Sequence, residues 1–190
     1  MLDLSFLIIL GMTPIYILLI VLGSSLLILF TAFLIYLFYR HQKMYENILN
    51  LLANIAKENK IINYKLRRVK RKPYDIYYET ITHIYNIKVL ANYKNQELFL
   101  KDKTNWQFID HVEDLKHTEI KIAEFINLDS KNQGKKDIIK MILIYPNAKA
   151  IISFINQCEL NFVYDDKEIY GTKIVTYENL YNRHNIIEGR

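Results

Sequence analysis

Several features that would assign the chain to a common class of protein are missing from its sequence. Its one cysteine, Cys158, cannot form an internal disulfide, which excludes a secreted scaffold held by disulfides and favours a reducing compartment. It contains only five glycines and three prolines, and no glycine-rich phosphate-binding loop is present. The histidines have no metal-ligand spacing, and no Ser-His-Asp arrangement is found. The remaining indications are hydrophobic runs and clusters of charge.

Charged side chains are also absent from one long stretch, between Asp3 and Arg40. The uncharged run exceeds the roughly 20 apolar residues that are needed to cross the core of a bilayer. It lacks a basic start and is too long for the apolar core of a cleavable signal peptide. We therefore expect residues 1–39 to remain attached as a membrane anchor.

Within this anchor, Pro14 is suited to the first turn of a helix, so we expect a transmembrane helix over about residues 14–39. Residues 4–12 are too short to cross a bilayer alone. They either lie in the membrane interface or extend the helix through a proline kink.

Positive charge is concentrated on the C-terminal side of this predicted span. Six cations occur within eight residues: Lys65, Arg67, Arg68, Lys70, Arg71 and Lys72. The positive-inside rule then predicts a single-pass protein of the cell membrane whose C-terminal domain is cytoplasmic. Each cation beside an anionic leaflet gains about 1 kcal/mol, so membrane lipid is the preferred partner of this cluster, and nucleic acid is a second possibility.

Residues 40–72 have the apolar spacing of a basic amphipathic or coiled-coil helix. Apolar side chains recur every three or four residues at Tyr45, Ile48, Leu52, Ile55, Ile62, Leu66 and Val69, with Asn59 interrupting the series. A buried asparagine fixes the register of parallel two-stranded coils, so one interpretation is a homodimer through residues 45–69. The alternative is a single amphipathic helix that packs on its own domain or on lipid.

Pro73 ends this pattern, and residues 73–190 indicate one α/β domain. We expect a helix over residues 74–85, then strands at 87–93, 97–100, 106–113 and 119–128. A strand at 137–145, a helix at 147–157, strands at 161–164 and 173–177 and a last helix follow. This order predicts an α/β sandwich around one mixed central sheet.

The predicted hairpin of this domain carries several charged residues that are suited to metal binding. Asp110 lies on one strand, and Glu119, Lys121 and Glu124 lie on the next. Two carboxylates can hold Mg²⁺ with open positions for a phosphate and a water, and a lysine can help to position that water. Carboxylates that alternate with isoleucine on a strand also occur on ordinary solvated faces.

Two runs of the domain resemble the nuclease-related domain, a family with the restriction-endonuclease-like fold. They are Lys88-Val-Leu-Ala-Asn-Tyr and Gln107-Phe-Ile-Asp-His-Val, of which the second is the more specific. The resemblance covers roughly residues 74–182. It implies Mg²⁺-dependent cleavage of DNA or RNA, with Asp110 and Glu124 as metal ligands and Glu79, on the preceding helix, as a helper.

The chain departs from the family at the predicted catalytic strand. Ile126 stands where the family has a lysine, and Lys121 is only a possible substitute because it points to the opposite face of a strand from Glu124. We therefore expect a nuclease that is weak or degenerate, whose activity Ile126→Lys would raise. The alternative is a non-catalytic membrane-anchored interaction or scaffold protein that dimerises through its coil.

Overall fold

The computed structural model describes residues 14–110, 117–128, 136–156, 159–163 and 167–182. This part of the chain contains three helices, α1 (Pro14–Glu58), α2 (Ala123–Ile126) and α3 (Tyr177–Asn182). It also contains eleven strands: β1 (Lys65–Arg68), β2 (Ile76–Glu79), β3 (His83–Ala91), β4 (Glu97–Leu100), β5 (Asn105–Ile109), β6 (His117–Lys121), β7 (Asp137–Tyr145), β8 (Ile151–Asn156), β9 (Glu159–Phe162), β10 (Glu168–Ile169) and β11 (Thr172–Thr176). The chain divides into two compact units, one ending at Glu46 and the other beginning at Asn47, and helix α1 contributes to both.

The first unit consists of the part of helix α1 that is long enough and apolar enough to span a membrane. The large apolar side chains between Leu18 and Tyr39 are exposed, and α1 is long enough and apolar enough to cross a bilayer. The hydroxyls of Ser24, Ser25 and Thr31 donate to backbone carbonyls of the preceding turn at 2.8 to 2.9 Å. These few polar groups therefore have partners within the helix, as a lipid environment requires.

The strands of the second unit form two mixed sheets. The larger has the order β1-β2-β3-β7-β11-β10, in which β3, β7 and β11 are parallel. The smaller has the order β6-β5-β4-β8-β9, in which only the β4 and β8 pair is parallel. The α/β class is confirmed in its coarse form, but the single central sheet that we expected is replaced by two.

The central strands of the larger sheet, β3, β7 and β11, carry buried side chains on both faces. One face shares a core with the smaller sheet, in which Ile142 and Ile144 of β7 cluster with Leu98, Trp106 and Phe108. The opposite face carries the buried side chains of Tyr78, Tyr85, Ile87, Met141 and Leu143. Because both faces of β3, β7 and β11 are buried, most of the residues in these strands are apolar.

The last turns of helix α1, residues 47–58, cover that second face. The amide of Asn47 donates to the Tyr145 hydroxyl at 2.9 Å, at the end of β7. Ile48, Leu52 and Ile55 on the same side of the helix are fully buried in the single chain. The second unit thus has three layers, one helix and two sheets.

Helix α1 ends at Glu58, so the continuous amphipathic or coiled-coil helix predicted over residues 40–72 is wrong beyond that residue. Lys60 adopts a left-handed conformation with φ of 52°, and the Ile61 amide donates to the Ala56 carbonyl at 2.9 Å. The Lys60 amide bonds the Lys57 carbonyl, which completes a Schellman termination. The later positions of the predicted seam then belong to a loop and to strand β1. The buried positions before Asn59 support the alternative of one helix packed on its own domain.

Two further predicted helices are strands in the structure. Residues 74–85 contain β2 and the start of β3, because the run Ile-Tyr-Tyr-Glu buries alternate side chains and tyrosine packs well on a sheet. Residues 147–157 contain β8, a strand of the smaller sheet in which Ile151 and Ile152 are both buried. The predicted strands at 97–100 and 137–145 and the last helix are confirmed. The strand predicted at 87–93 is confirmed in part, because β3 begins four residues earlier and ends at Ala91.

Two isoleucines of the predicted seam separate the two interpretations of residues 45–69. Ile55 is 0% exposed and Ile62 is 87% exposed. We expect Ile55→Ala to lower the free energy of unfolding by about 2–5 kcal/mol. Ile62→Ala should change it by less than about 0.5 kcal/mol. Denaturant unfolding of the full chain in neutral micelles, followed by the fluorescence of the single tryptophan, Trp106, measures the free energy of unfolding of both variants. Similar decreases for the two variants would instead favour a coiled coil.

Candidate functional site

The predicted metal ligands lie at opposite ends of the hairpin formed by β5 and β6. In its register Asn105 pairs with Lys121, and Ile109 pairs with His117. Asp110 directly follows Ile109, so it lies about 17 Å along the strand from the end that carries Lys121 and leads to Glu124. The structure does not bring Asp110 and Glu124 together. Among the described residues no group of three or more His, Cys, Asp or Glu side chains is placed to hold a metal ion.

The chain beyond β6 also differs from the predicted catalytic strand. Strand β6 ends at Lys121, and residues 123–126 form the short helix α2. Glu124 is exposed on this helix, whereas Ile126 is 2% exposed and belongs to the core between the sheets. The Lys140 ammonium donates to the Ile126 carbonyl at 2.7 Å, so a lysine already satisfies the end of this helix.

Glu79, the predicted helper, lies on strand β2 and not on a helix. Its Oε1 accepts a hydrogen bond from Lys136 at 2.7 Å, and its Oε2 accepts one from the Tyr77 hydroxyl at 2.9 Å. Lys65 of the neighbouring strand approaches Oε2 to 3.6 Å. Glu79 is thus committed to an ion-pair cluster in the larger sheet, away from the β5 and β6 hairpin.

These contacts set the protonation of the cluster. The hydrogen bonds from Lys136 and then Tyr77 lower the pKa of Glu79 from 4.5 to about 2, despite its partial burial. Burial, together with the bond to the charged Glu79, raises the pKa of Tyr77 to about 12. At neutral pH Glu79 is therefore an anion and Tyr77 a neutral donor. The Arg67 guanidinium lies 5.2 Å from the centre of the Tyr77 ring.

The six clustered cations lie on strand β1 and the loop that follows it, a surface that we name the basic edge. Strand β1 is the last strand on its side of the larger sheet, where it pairs with β2. All six side chains are exposed: Lys65, Arg67, Arg68, Lys70, Arg71 and Lys72. The sequence found these cations, but it placed them on a helix.

Asp75 fixes the base of the basic edge. Its carboxylate accepts the Val89 amide at 2.8 Å and lies 3.4 Å from the Lys88 ammonium. Its backbone bonds both the Val69 amide and the Ile87 carbonyl, and Arg71 turns the loop with φ of 63°. The loop therefore presents its cations from a backbone attached to the centre of the sheet.

A cleft of about 370 Å³ lies at the start of strand β1. Residues 62–65 form one side, and Glu79, Thr80 and Lys136 form the other. The Lys136 ammonium also donates to the Thr80 carbonyl at 2.7 Å, so two of its three N–H donors have partners on this side. Sequence reasoning gave Lys136 no role and missed this cleft. The available signal was the alternation in Ile-Tyr-Tyr-Glu, which puts Tyr77 and Glu79 on one face of a strand.

No family model, curated protein or solved structure matches this chain. The resemblance to the nuclease-related domain therefore stays a prediction from a few residues. The geometry of the basic edge and of its cleft is the firmer basis for a function.

The position of Ile126 gives a prediction opposite to the one from the family resemblance. Because the side chain is in the core, Ile126→Lys should bury a charge and lower the free energy of unfolding by more than about 3 kcal/mol. Ala123→Lys, at an exposed position of the same helix, is the control and should cost less than about 0.5 kcal/mol. Trp106 fluorescence during denaturant unfolding measures both. Mg²⁺-dependent DNA cleavage by a stable Ile126→Lys variant would restore the nuclease interpretation.

The pKa of Glu79 predicts a pH dependence of stability. A folded-state pKa of about 2, below the ordinary 4.5, means that ionised Glu79 stabilises the fold above about pH 4.5. This contribution is lost as the pH falls from about 4.5 to about 2. The stability difference between wild type and Glu79→Gln should be largest near neutral pH and shrink across this range. A constant difference would contradict the ion-pair cluster, and Glu124→Gln, which removes an exposed glutamate, is the matched control.

Proposed function

We propose that the chain is a membrane-anchored, non-catalytic binding module whose basic edge holds a phosphate-rich polyanion in the cytoplasm. The observation that carries this proposal is the arrangement of six exposed cations on one edge strand and its fixed loop. Such a surface attracts phosphate groups of nucleic acid or of anionic lipid by a charge effect that does not depend on sequence.

The anchor in this proposal is the apolar part of helix α1. Its exposed apolar surface between Leu18 and Tyr39 is suited to lipid, and few polar groups interrupt it. Arg40, Lys43 and the basic edge all follow the apolar part in sequence, so the positive-inside rule supports a cytoplasmic position for the second unit.

A binding role is favoured over cleavage by the positions of the acidic residues. Two-carboxylate catalysis needs ligands that share one metal ion. Asp110 and Glu124 are at opposite ends of their hairpin, and Glu79 is paired with lysines. The basic edge, in contrast, needs no metal to bind phosphate.

The test uses the full chain in neutral detergent micelles and a fluorescein-labelled DNA 20-mer. Replacing Lys70, Arg71 and Lys72 together by glutamine should weaken binding at least about tenfold. The slope of the logarithm of the association constant against the logarithm of the salt concentration should become shallower by about 2 to 3. Each lost phosphate contact lowers the magnitude of this slope by about 0.7–0.9. Fluorescence anisotropy across a salt series gives both values.

A control variant replaces Lys101 and Lys103 by glutamine; both are exposed cations of the smaller sheet's β4–β5 loop. This double glutamine variant should bind like the wild type. Equal weakening of both variants would mean that total charge, not the basic edge, determines binding.

Competition by phosphatidylglycerol vesicles, compared with phosphatidylcholine vesicles, measures preference for lipid. Cleavage of the DNA in Mg²⁺ that Asp110→Asn abolishes would contradict the non-catalytic role.

A further inference from the structure

The cleft at the start of strand β1 differs from the rest of the basic edge in how its cations are held. On the loop, Lys70, Arg71 and Lys72 are consecutive in the sequence and exposed. In the cleft, Lys65 comes from β1 and Lys136 from the segment before β7, so the fold brings together two cations that are distant in sequence. A surface that attracts any polyanion does not need such a convergence, whereas a site for one anionic group does.

The charges of the cleft do not cancel. Two ammonium groups, of Lys65 and Lys136, face one carboxylate, of Glu79, which is ionised at neutral pH. The cleft therefore carries a net charge of about +1 beside the polar side chains of Asn63 and Thr80. An anion that enters it gains from both lysines and is opposed by one carboxylate.

The two lysines are held to different degrees. The Lys136 ammonium is fixed by hydrogen bonds of 2.7 Å to Glu79 and to the Thr80 carbonyl. The Lys65 side chain is 78% exposed, and its nitrogen is 3.6 Å from Glu79, beyond hydrogen-bond distance. Lys136 thus gives the cleft a preorganised cation, and Lys65 is able to turn toward a ligand at little cost.

We propose that this cleft binds a single phosphate group, carried by a small phosphorylated molecule or by a lipid headgroup. A phosphate offers several strong acceptor oxygens to the two ammonium groups at once, and lysine binds it as a point charge. The volume of about 370 Å³ is in the range of small-ligand sites and leaves space for the body of the molecule beside Tyr64 and the exposed Ile62. The inference rests on the proposed function, because it assigns one specific contact within the basic edge.

The experiment follows thermal unfolding of the full chain in neutral micelles by Trp106 fluorescence, with inorganic phosphate against sodium chloride of equal ionic strength. A ligand that binds only the folded state raises the melting temperature. At ten times its dissociation constant, phosphate should raise it by about 3 °C. Phosphatidic acid against phosphatidylcholine in mixed micelles is the second arm. A shift with phosphate identifies a free phosphorylated ligand, and a shift with phosphatidic acid alone identifies a lipid headgroup.

Three substitutions in the cleft should change phosphate affinity in opposite directions. Lys136→Gln should abolish the phosphate-dependent shift, and Lys65→Gln, which changes an exposed side chain, should weaken phosphate binding about fivefold without harming the fold. Glu79→Gln removes the opposing charge, so the half-saturating phosphate concentration should fall about fivefold even though the variant is less stable. A purely structural ion pair would not produce that tightening. Lys101→Gln is the control and should respond like the wild type.

Absence of a shift with both phosphate and phosphatidic acid would overturn the inference, as would equal responses of all four variants. Failure of the cleft is distinguishable from failure of the proposed function. One such result is that the triple variant of Lys70, Arg71 and Lys72 loses oligonucleotide binding while phosphate changes the melting temperature of neither the wild type nor the cleft variants. That result would support the basic edge as a binding surface and contradict the cleft as a phosphate site.

Discussion

The second unit depends on covering both faces of its larger sheet. Strands β3, β7 and β11 are apolar on each side, so neither face is stable in water. The smaller sheet covers one face, and residues 47–58 of helix α1 cover the other, with Asn47 bonded to Tyr145. Helix α1 ends at Glu58, and the chain then reaches strand β1 through residues 59–64. Strand β1 is an edge strand of the larger sheet. Its charged side chains suit this position because an uncharged exposed edge tends to pair with other chains.

The same charges then serve two physical purposes. Cations on an edge strand discourage strand pairing between molecules, and they also create an attractive field for phosphate. Asp75 holds the loop beyond β1 to the centre of the sheet, and the Glu79 cluster holds the start of β1 to β2 and to the segment before β7. The basic edge is therefore fixed at both ends. A backbone held in this way loses less entropy when its cations bind a ligand than the backbone of a flexible basic tail does.

Sequence reasoning succeeded where one local pattern was dominant. The uncharged run gave the apolar helix, and the strands at 97–100 and 137–145 were evident from short apolar segments. It failed where tertiary burial overrode local periodicity. The spacing of three and four continued past Asn59 into residues that form a loop and strand β1, and the tyrosine-rich run before His83 resembled a helix although each second side chain enters the core. The predicted metal site depended on a different property, the register of two strands. Strand register places Asp110 and Glu124 at opposite ends of one hairpin, and spacing along the chain does not reveal register.

Helix α1 has a consequence for how such a chain can be divided or recombined. The composition changes at Pro73, and a domain exchange guided by composition would join there. That joint would remove residues 47–58 and strand β1, and it would leave the face that carries Tyr78, Tyr85 and Met141 without its cover. A joint that keeps the second unit whole has to fall before Asn47. The final turns of helix α1 therefore belong to the second unit, and a division of the chain at Pro73 would cut through that unit.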